Sequence, residues 1–138
     1  MSLQTNIDHD SYTDSYIFEI LNKVCSIAMV GASSNWNRPS NFAMKYLMRK
    51  GFKVIPVNPN SMEKEILGEK VFPNLKSLPV PVDMVDMFRP ATEAYDLVKD
   101  SIEIGSKVFW MQLDIVNKDA AKKAEEAGMQ VVMNRCPK

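Results

Sequence analysis

An α/β fold with a mainly parallel, doubly wound sheet follows from three features of this 138-residue sequence. Short apolar runs alternate with amphipathic stretches at helical spacing, several of those stretches stop at a glycine, and two begin at a proline. Each feature has a local cause. Strands buried on both faces read as continuous apolar runs, glycine readily takes the left-handed conformation that ends a helix, and proline at the first helical position gives up an N–H that has no partner there.

Along the chain, the spacing of Ile17, Phe18, Ile20 and Leu21 predicts a helix over 16–23. Residues 26–30 form the first strand, Gly31 breaks it, and a helix over 38–50 turns Phe42, Ala43, Tyr46 and Leu47 inward before stopping at Gly51. The second strand opens at 52–55 and runs into Pro56-Val57-Asn58-Pro59. Residues 60–78 are expected to hold a short strand and a turn of helix. A third principal strand covers 82–88. The helix over 90–104 presents Ala94, Tyr95, Val98 and Ile102 to the core and stops at Gly105, ahead of a strand beginning at 106–109. The last helix, 117–127, carries an all-alanine face of Ala120, Ala121, Ala124 and Ala127, which implies close packing on the sheet; it ends at Gly128 before the strand over 129–132.

Strands joined through helices make right-handed parallel crossovers, so the sheet is covered on both faces: a three-layer, Rossmann-like architecture of about five to six strands. Residues 1–12 read as a polar, flexible leader and 13–138 as a single domain. In such open sheets ligands lie beyond the carboxyl ends of the strands, near the point where strand order reverses. That places Ser33, Ser34 and Arg38, Asn58, Arg89, Gln112, and Asn134, Arg135 and Cys136 along one edge of the sheet.

Composition narrows the class of partner. Hydrophobic residues are 46% and charged residues 25%, as in a soluble globular protein. Lys plus Arg and Asp plus Glu are 17 each, so no positive excess points to nucleic acid or a membrane surface. Cys25 and Cys136 are too few for a disulfide framework or zinc knuckle, the leader lacks a signal-peptide pattern, and no apolar run has membrane-spanning length; a cytoplasmic location is expected.

The chemistry gathers after the first strand. Gly31-Ala32-Ser33-Ser34, followed by Arg38-Pro39-Ser40, has the form of a phosphate cradle: a glycine turn leaves backbone N–H groups unpaired at a helix start, with hydroxyl donors and a guanidinium nearby. The plainer reading is an ordinary strand-to-helix turn with a solvated Arg38. Asn58 either meets a ligand or caps its own turn. Trp36 either stacks on a base or covers the helix start. Asp83 and Asp86 point to opposite faces of a strand and so form no catalytic pair; Asp86 is expected to accept hydrogen bonds from loop N–H groups. Cys25 reads as a small core residue. Cys136, beside Arg135, is either an inert thiol or one able to exchange with a ligand thiol.

An NAD-type domain would carry Gly-x-Gly-x-x-Gly and an acid at the second strand's tip; only Gly31 is present and that strand ends Pro56-Val57-Asn58-Pro59. No Gly-Lys-Ser/Thr follows Gly31, which excludes a P-loop. The sole histidine, His9, lies in the leader, so histidine catalysis and ligation have almost no material.

Val30-Gly31-Ala32-Ser33, Arg38-Pro39-Ser40, the run from Gly51 to Pro59, Ile66-Leu67-Gly68, Val82-Asp83-Met84-Val85-Asp86, Phe88-Arg89, Trp110-Met111-Gln112-Leu113 and Asn134-Arg135-Cys136 together resemble the small stand-alone CoA-binding proteins. Those proteins are similar in fold to the CoA-binding domain of the succinyl-CoA synthetase α subunit. The resemblance implies coenzyme A or an acyl-CoA lying across the strand ends. Gly31, Ala32, Ser33 and Ser34 would meet its diphosphate and Arg38 a phosphate. Val57, Asn58 and Pro59 would border the nucleotide or pantetheine arm, with Phe88, Arg89 and Pro90 flanking it. Gln112, Asn134, Arg135 and Cys136 would lie at the far end. The phosphorylated histidine of that synthetase belongs to another domain, so binding carries over without ligase chemistry. Non-catalytic binding, as carrier, sensor or partner subunit, is the first expectation. The alternatives are an NADP-type oxidoreductase using Arg38 for the 2′-phosphate, whose only proton donors would be Tyr46 and Tyr95, and a regulatory subunit with a degenerate site. A protein partner or homo-oligomer is compatible with each.

Overall fold

The computed structural model describes residues 8–9, 11–59 and 64–135. Helix α1 (Asp14–Lys23) precedes strand β1 (Ser26–Val30), α2 (Pro39–Arg49) and β2 (Lys53–Val57). A small antiparallel hairpin, β3 (Glu65–Ile66) and β4 (Glu69–Lys70), and a 3-10 turn (Leu75–Ser77) lead to β5 (Met84–Met87). A 3-10 turn (Ala91–Glu93) then feeds α3 (Ala94–Glu103), followed by β6 (Val108–Met111), α4 (Lys118–Glu126) and β7 (Gln130–Val132).

The main sheet has the order β2-β1-β5-β6-β7, and every neighbouring pair is parallel. The chain leaves β1 toward β2, then crosses back to place β5 on the other side of β1. Strand order therefore reverses between β1 and β5, the kind of switch point at which open parallel sheets take ligands.

Alternation along each strand sorts the core into two layers. Val30, Ile55, Met87 and Phe109 pack with Val98 of α3 and Ala120 and Ala124 of α4 on one face. Met29, Met84 and Trp110 pack with Ile20 of α1 and Met44 and Leu47 of α2 on the other. Each fully buried side chain such as Leu47 contributes about 1.5–3 kcal/mol. The alanines of α4 let its backbone lie close to the sheet. Asn117 fixes where that helix starts: its side chain accepts from the Ala120 amide at 3.0 Å and donates to the Ala91 carbonyl at 2.9 Å.

Several expectations need correction. Phe42 is 51% exposed, and the inward face of α2 is instead Ser40, Ala43, Met44 and Leu47, with Asn41 beside it. Tyr95 is 42% exposed, Ala127 lies outside the core, and Cys25 is exposed. Helix α3 begins only at Ala94, because the residues after Pro90 form the tighter 3-10 turn.

The outer edge of β7 is met by α1 and the residue preceding it by two. The Tyr16 hydroxyl donates to the Val131 carbonyl at 2.8 Å and accepts from its amide at 3.2 Å, while the Tyr12 hydroxyl accepts from the Met133 amide at 2.8 Å. The two rings stack with centroids 5.6 Å apart. Burial raises the Tyr16 hydroxyl above its ordinary pKa, keeping it a donor. His9 bonds both Tyr12, at 2.7 Å, and Glu125, at 3.1 Å.

Candidate functional site

Three strand ends converge on the Gly31 turn. Gly31 takes φ +89°, and its amide donates to the Val57 carbonyl at 2.8 Å. A Cβ there would lie 2.8 Å from the Phe88 carbonyl oxygen, so only glycine lets the loops after β1 and β5 approach this closely. Asn58 donates to the Ala32 carbonyl at 2.9 Å and Asn41 to the Ser33 carbonyl at 2.9 Å. The turn is thus pinned from β2 and from α2.

Beyond it the chain coils in side-chain turns. Ser33 Oγ accepts from the Asn35 amide at 3.1 Å, and Asn35 Oδ1 from the Asn37 amide at 3.0 Å. Arg38 is the extended residue before α2 and places no side-chain cap on the helix; Pro39 follows at the first helical position. The consequence is a set of open donors. Among the described residues, nothing accepts from the backbone amides of Ser33, Ser34 and Ser40, and the guanidinium of Arg38 has no ion-pair partner. The cleft between these groups is about 360 Å³ and is lined by Gly31, Ser33, Arg38, Pro39, Ser40, Asn58, Phe88 and Arg89. Arg89 is engaged differently. Its Nε and Nη2 donate to the Glu93 carboxylate at 3.1 and 2.7 Å, a bond that raises the guanidinium pKa still further.

The structure therefore brings Gly31, Ser33, Arg38, Asn58, Phe88 and Arg89 around one cleft. Ala32 is buried behind it, Ser34 and Pro59 are exposed beside it, Val57 is a core residue, and Pro90 is exposed. Trp36 is 66% exposed and does not cover the helix start.

The far strand ends are arranged otherwise. Gln112 is buried and donates to Asp86. Asp86 is fully buried; burial raises its carboxyl to about 7, opposed by the bond from Gln112. The expectation that loop amides bond to Asp86 is corrected: backbone amides bond instead to Asp83, whose Oδ2 accepts from Cys25 at 2.8 Å and Ser26 at 3.2 Å, while Asp86 Oδ2 has no hydrogen-bond partner among the described residues. Asn134, at φ +58°, accepts from the Asp114 amide at 2.7 Å. The Arg135 carbonyl takes the Trp110 indole N–H at 2.8 Å and its guanidinium lies 5.2 Å over the Tyr12 ring. Cys136 lies outside the described residues.

Sequence reasoning placed Ser40 in the cradle motif without a role of its own and passed over Glu93. Ser40 carries a readable signal, as the residue after a proline at a helix start; Glu93 carries only its spacing of four from Arg89. A larger depression of about 500 Å³ lies over α4 near Tyr95, lined by Asn117, Asp119, Lys122, Lys123 and Glu126. It is a charged depression that shares no lining residue with the cleft. Among the described residues no group of three His, Cys, Asp or Glu side chains could hold a metal ion, and no helix is long and apolar enough to cross a membrane.

These features define a Rossmann-like α/β domain with a corner of open hydrogen-bond donors at its switch point. The chain belongs to the CoA binding domain family, which it matches over residues 25–138. It is 35% identical to protein YneT of Bacillus subtilis (strain 168) over 122 residues, covering 88% of this chain and 89% of that one. A hypothetical protein of Pyrococcus horikoshii OT3 superposes with a TM-score of 0.87 at 40% identity, over 96% of this chain and 92% of that chain. Acetyl-coenzyme A synthetase 1 of Ca. Korarchaeum cryptofilum superposes with a TM-score of 0.71 at 25% identity, over 83% of this chain but 27% of that chain.

Proposed function

We propose that this protein holds coenzyme A or an acyl-CoA in the cleft between the β1 and β5 loops, as a carrier, sensor or partner subunit without chemistry of its own. The observation that carries the reading is the coincidence, at one switch point, of the Gly31 turn, the open amides of Ser33, Ser34 and Ser40, and the uncommitted Arg38 guanidinium. Such amides, with the positive end of the α2 dipole behind them, favour a diphosphate. Arg38 adds a planar guanidinium whose geometry suits a phosphate. Asn58 and Phe88, one polar residue and one apolar, border the same space, as a ligand with a nucleotide and a pantetheine arm requires.

The family match supports the same ligand class. Tyr46 and Tyr95, the proton donors an oxidoreductase reading would need, are absent from the cleft lining, which favours binding over redox chemistry. Isothermal titration with CoA, acetyl-CoA, NADP and ATP tests the reading. Saturable binding of CoA or acetyl-CoA in preference to NADP and ATP is expected. Preference for NADP would favour the oxidoreductase, and binding of none would favour a regulatory subunit.

A further inference from the structure

Two arginines line the cleft, and the surroundings give them different roles. Arg38 is exposed and without an ion-pair partner among the described residues. Arg89 is held at both ends. Its Cδ would lie 3.1 Å from a Cβ on Gly31, so its stem lies close against the glycine, and its Nε and Nη2 form a two-pronged bond to Glu93 on the 3-10 turn four residues later. Paired hydrogen bonds of this kind fix the plane of a guanidinium and oppose its charge with a carboxylate. Glu93 itself is absent from the cleft lining, so its charge acts through Arg89 and across the short distance beyond it.

We infer that Glu93 is a specificity-determining residue that neutralises Arg89, so that Arg38 and the open amides anchor the anion while the Arg89–Glu93 pair limits how much negative charge the cleft accepts. The inference rests on the CoA reading above and adds to it the division of labour between the two cations. Its consequence is a particular sign for each substitution. Removing the Glu93 charge frees a full positive charge at the mouth of the cleft and tightens binding, more for ligands with more phosphate groups. Removing Arg89 alone leaves an uncompensated carboxylate beside the cleft and weakens binding. Removing both charges together returns the cleft close to its starting balance, because neither group then acts on the ligand.

Titration of the full chain with CoA and with inorganic pyrophosphate tests this, using E93Q, R89A and the R89A/E93Q double variant. The expected pattern is about three- to tenfold tighter CoA binding by E93Q, about tenfold weaker binding by R89A, and return to within about threefold of the parent affinity in the double variant. The gain in E93Q should shrink as salt is raised from 50 to about 500 mM, since exposed charges are screened over that range. A merely structural role for Glu93 would give neither the rescue nor the salt dependence. If R89A and R89A/E93Q are equally weak, Arg89 holds the ligand itself and the inference is overturned while the CoA reading stands. A parent protein that binds pyrophosphate but not CoA overturns the CoA reading, and the variants then decide the division of labour on pyrophosphate alone. Binding of neither probe by the parent or by E93Q overturns both.

Discussion

The carboxyl end of β1 and the carboxyl ends of β6 and β7 lie on the same edge of one sheet, yet their polar groups are used differently. At β1 the amides of Ser33, Ser34 and Ser40 and the Arg38 guanidinium find no acceptor among the described residues. At β6 and β7 the polar groups answer one another: Gln112 bonds to Asp86, Asn134 to the Asp114 amide, Trp110 to the Arg135 carbonyl, and the Arg135 guanidinium rests on Tyr12. Position along the sheet edge thus leaves open whether a polar group faces a ligand or a neighbour, and local hydrogen-bond accounting separates the two ends.

The most disruptive way to break this contrast is to fill the open corner with a methyl group. Gly31→Ala puts a Cβ against the Phe88 carbonyl and a side chain into a left-handed conformation, and should cost about 2–4 kcal/mol, read as a lowered urea midpoint. The closed corner is tested by Asp86→Asn. The folded protein holds the Asp86 proton more tightly than the unfolded chain does, so stability from this group is full below about pH 4, declines as pH rises through about 7, and stays low above it. Asp86→Asn keeps the acceptor for Gln112, should gain on the order of 2 kcal/mol at pH 8, and should flatten the decline between pH 4 and 7. An unchanged slope in thermal melts would sink the assignment.

Arg38→Ala sharpens the comparison from the ligand's side. It should weaken CoA binding by ~1–3 kcal/mol in a calorimetric titration while moving the urea midpoint little, because the side chain has no internal partner to lose. At the closed end the dependence reverses. Asn134→Ala should cost about 1 kcal/mol of stability through the lost bond to Asp114 and the left-handed backbone, yet leave CoA affinity within error. A loss of affinity there would show that the far end takes part in binding after all.

Much of the architecture is readable in the chain because its causes are local. Gly51, Gly105 and Gly128 all take positive φ where the helices before them stop, and Pro39 opens α2 as its missing N–H suggests. The runs at 26–30 and 130–132 are strands because they are short, mostly apolar and buried between the helix layers. The Gly31 turn is legible too, since a strand, a glycine and a helix start determine where open amides must fall. What escapes is set by contacts between distant residues. The inward turn of Ser40 and Asn41 in place of Phe42 depends on the Asn41 bond to the loop before α2 and on how that helix rolls over β1. Gln112, Asn134 and Arg135 sit where the sheet-edge rule puts them. Their engagement with Asp86, Asp114 and Trp110, 20 to 26 residues away in sequence, has no periodic signature.

The two phenol oxygens that meet Val131 and Met133 have a bearing on how the molecule behaves at high concentration. An outermost strand normally offers a row of bare amide and carbonyl groups onto which another chain can add itself, extending one sheet into the next. Here those groups already have partners supplied by the amino-terminal helix and its approach. A neighbouring molecule would have to displace stacked aromatic rings before it could zip onto this side of the sheet.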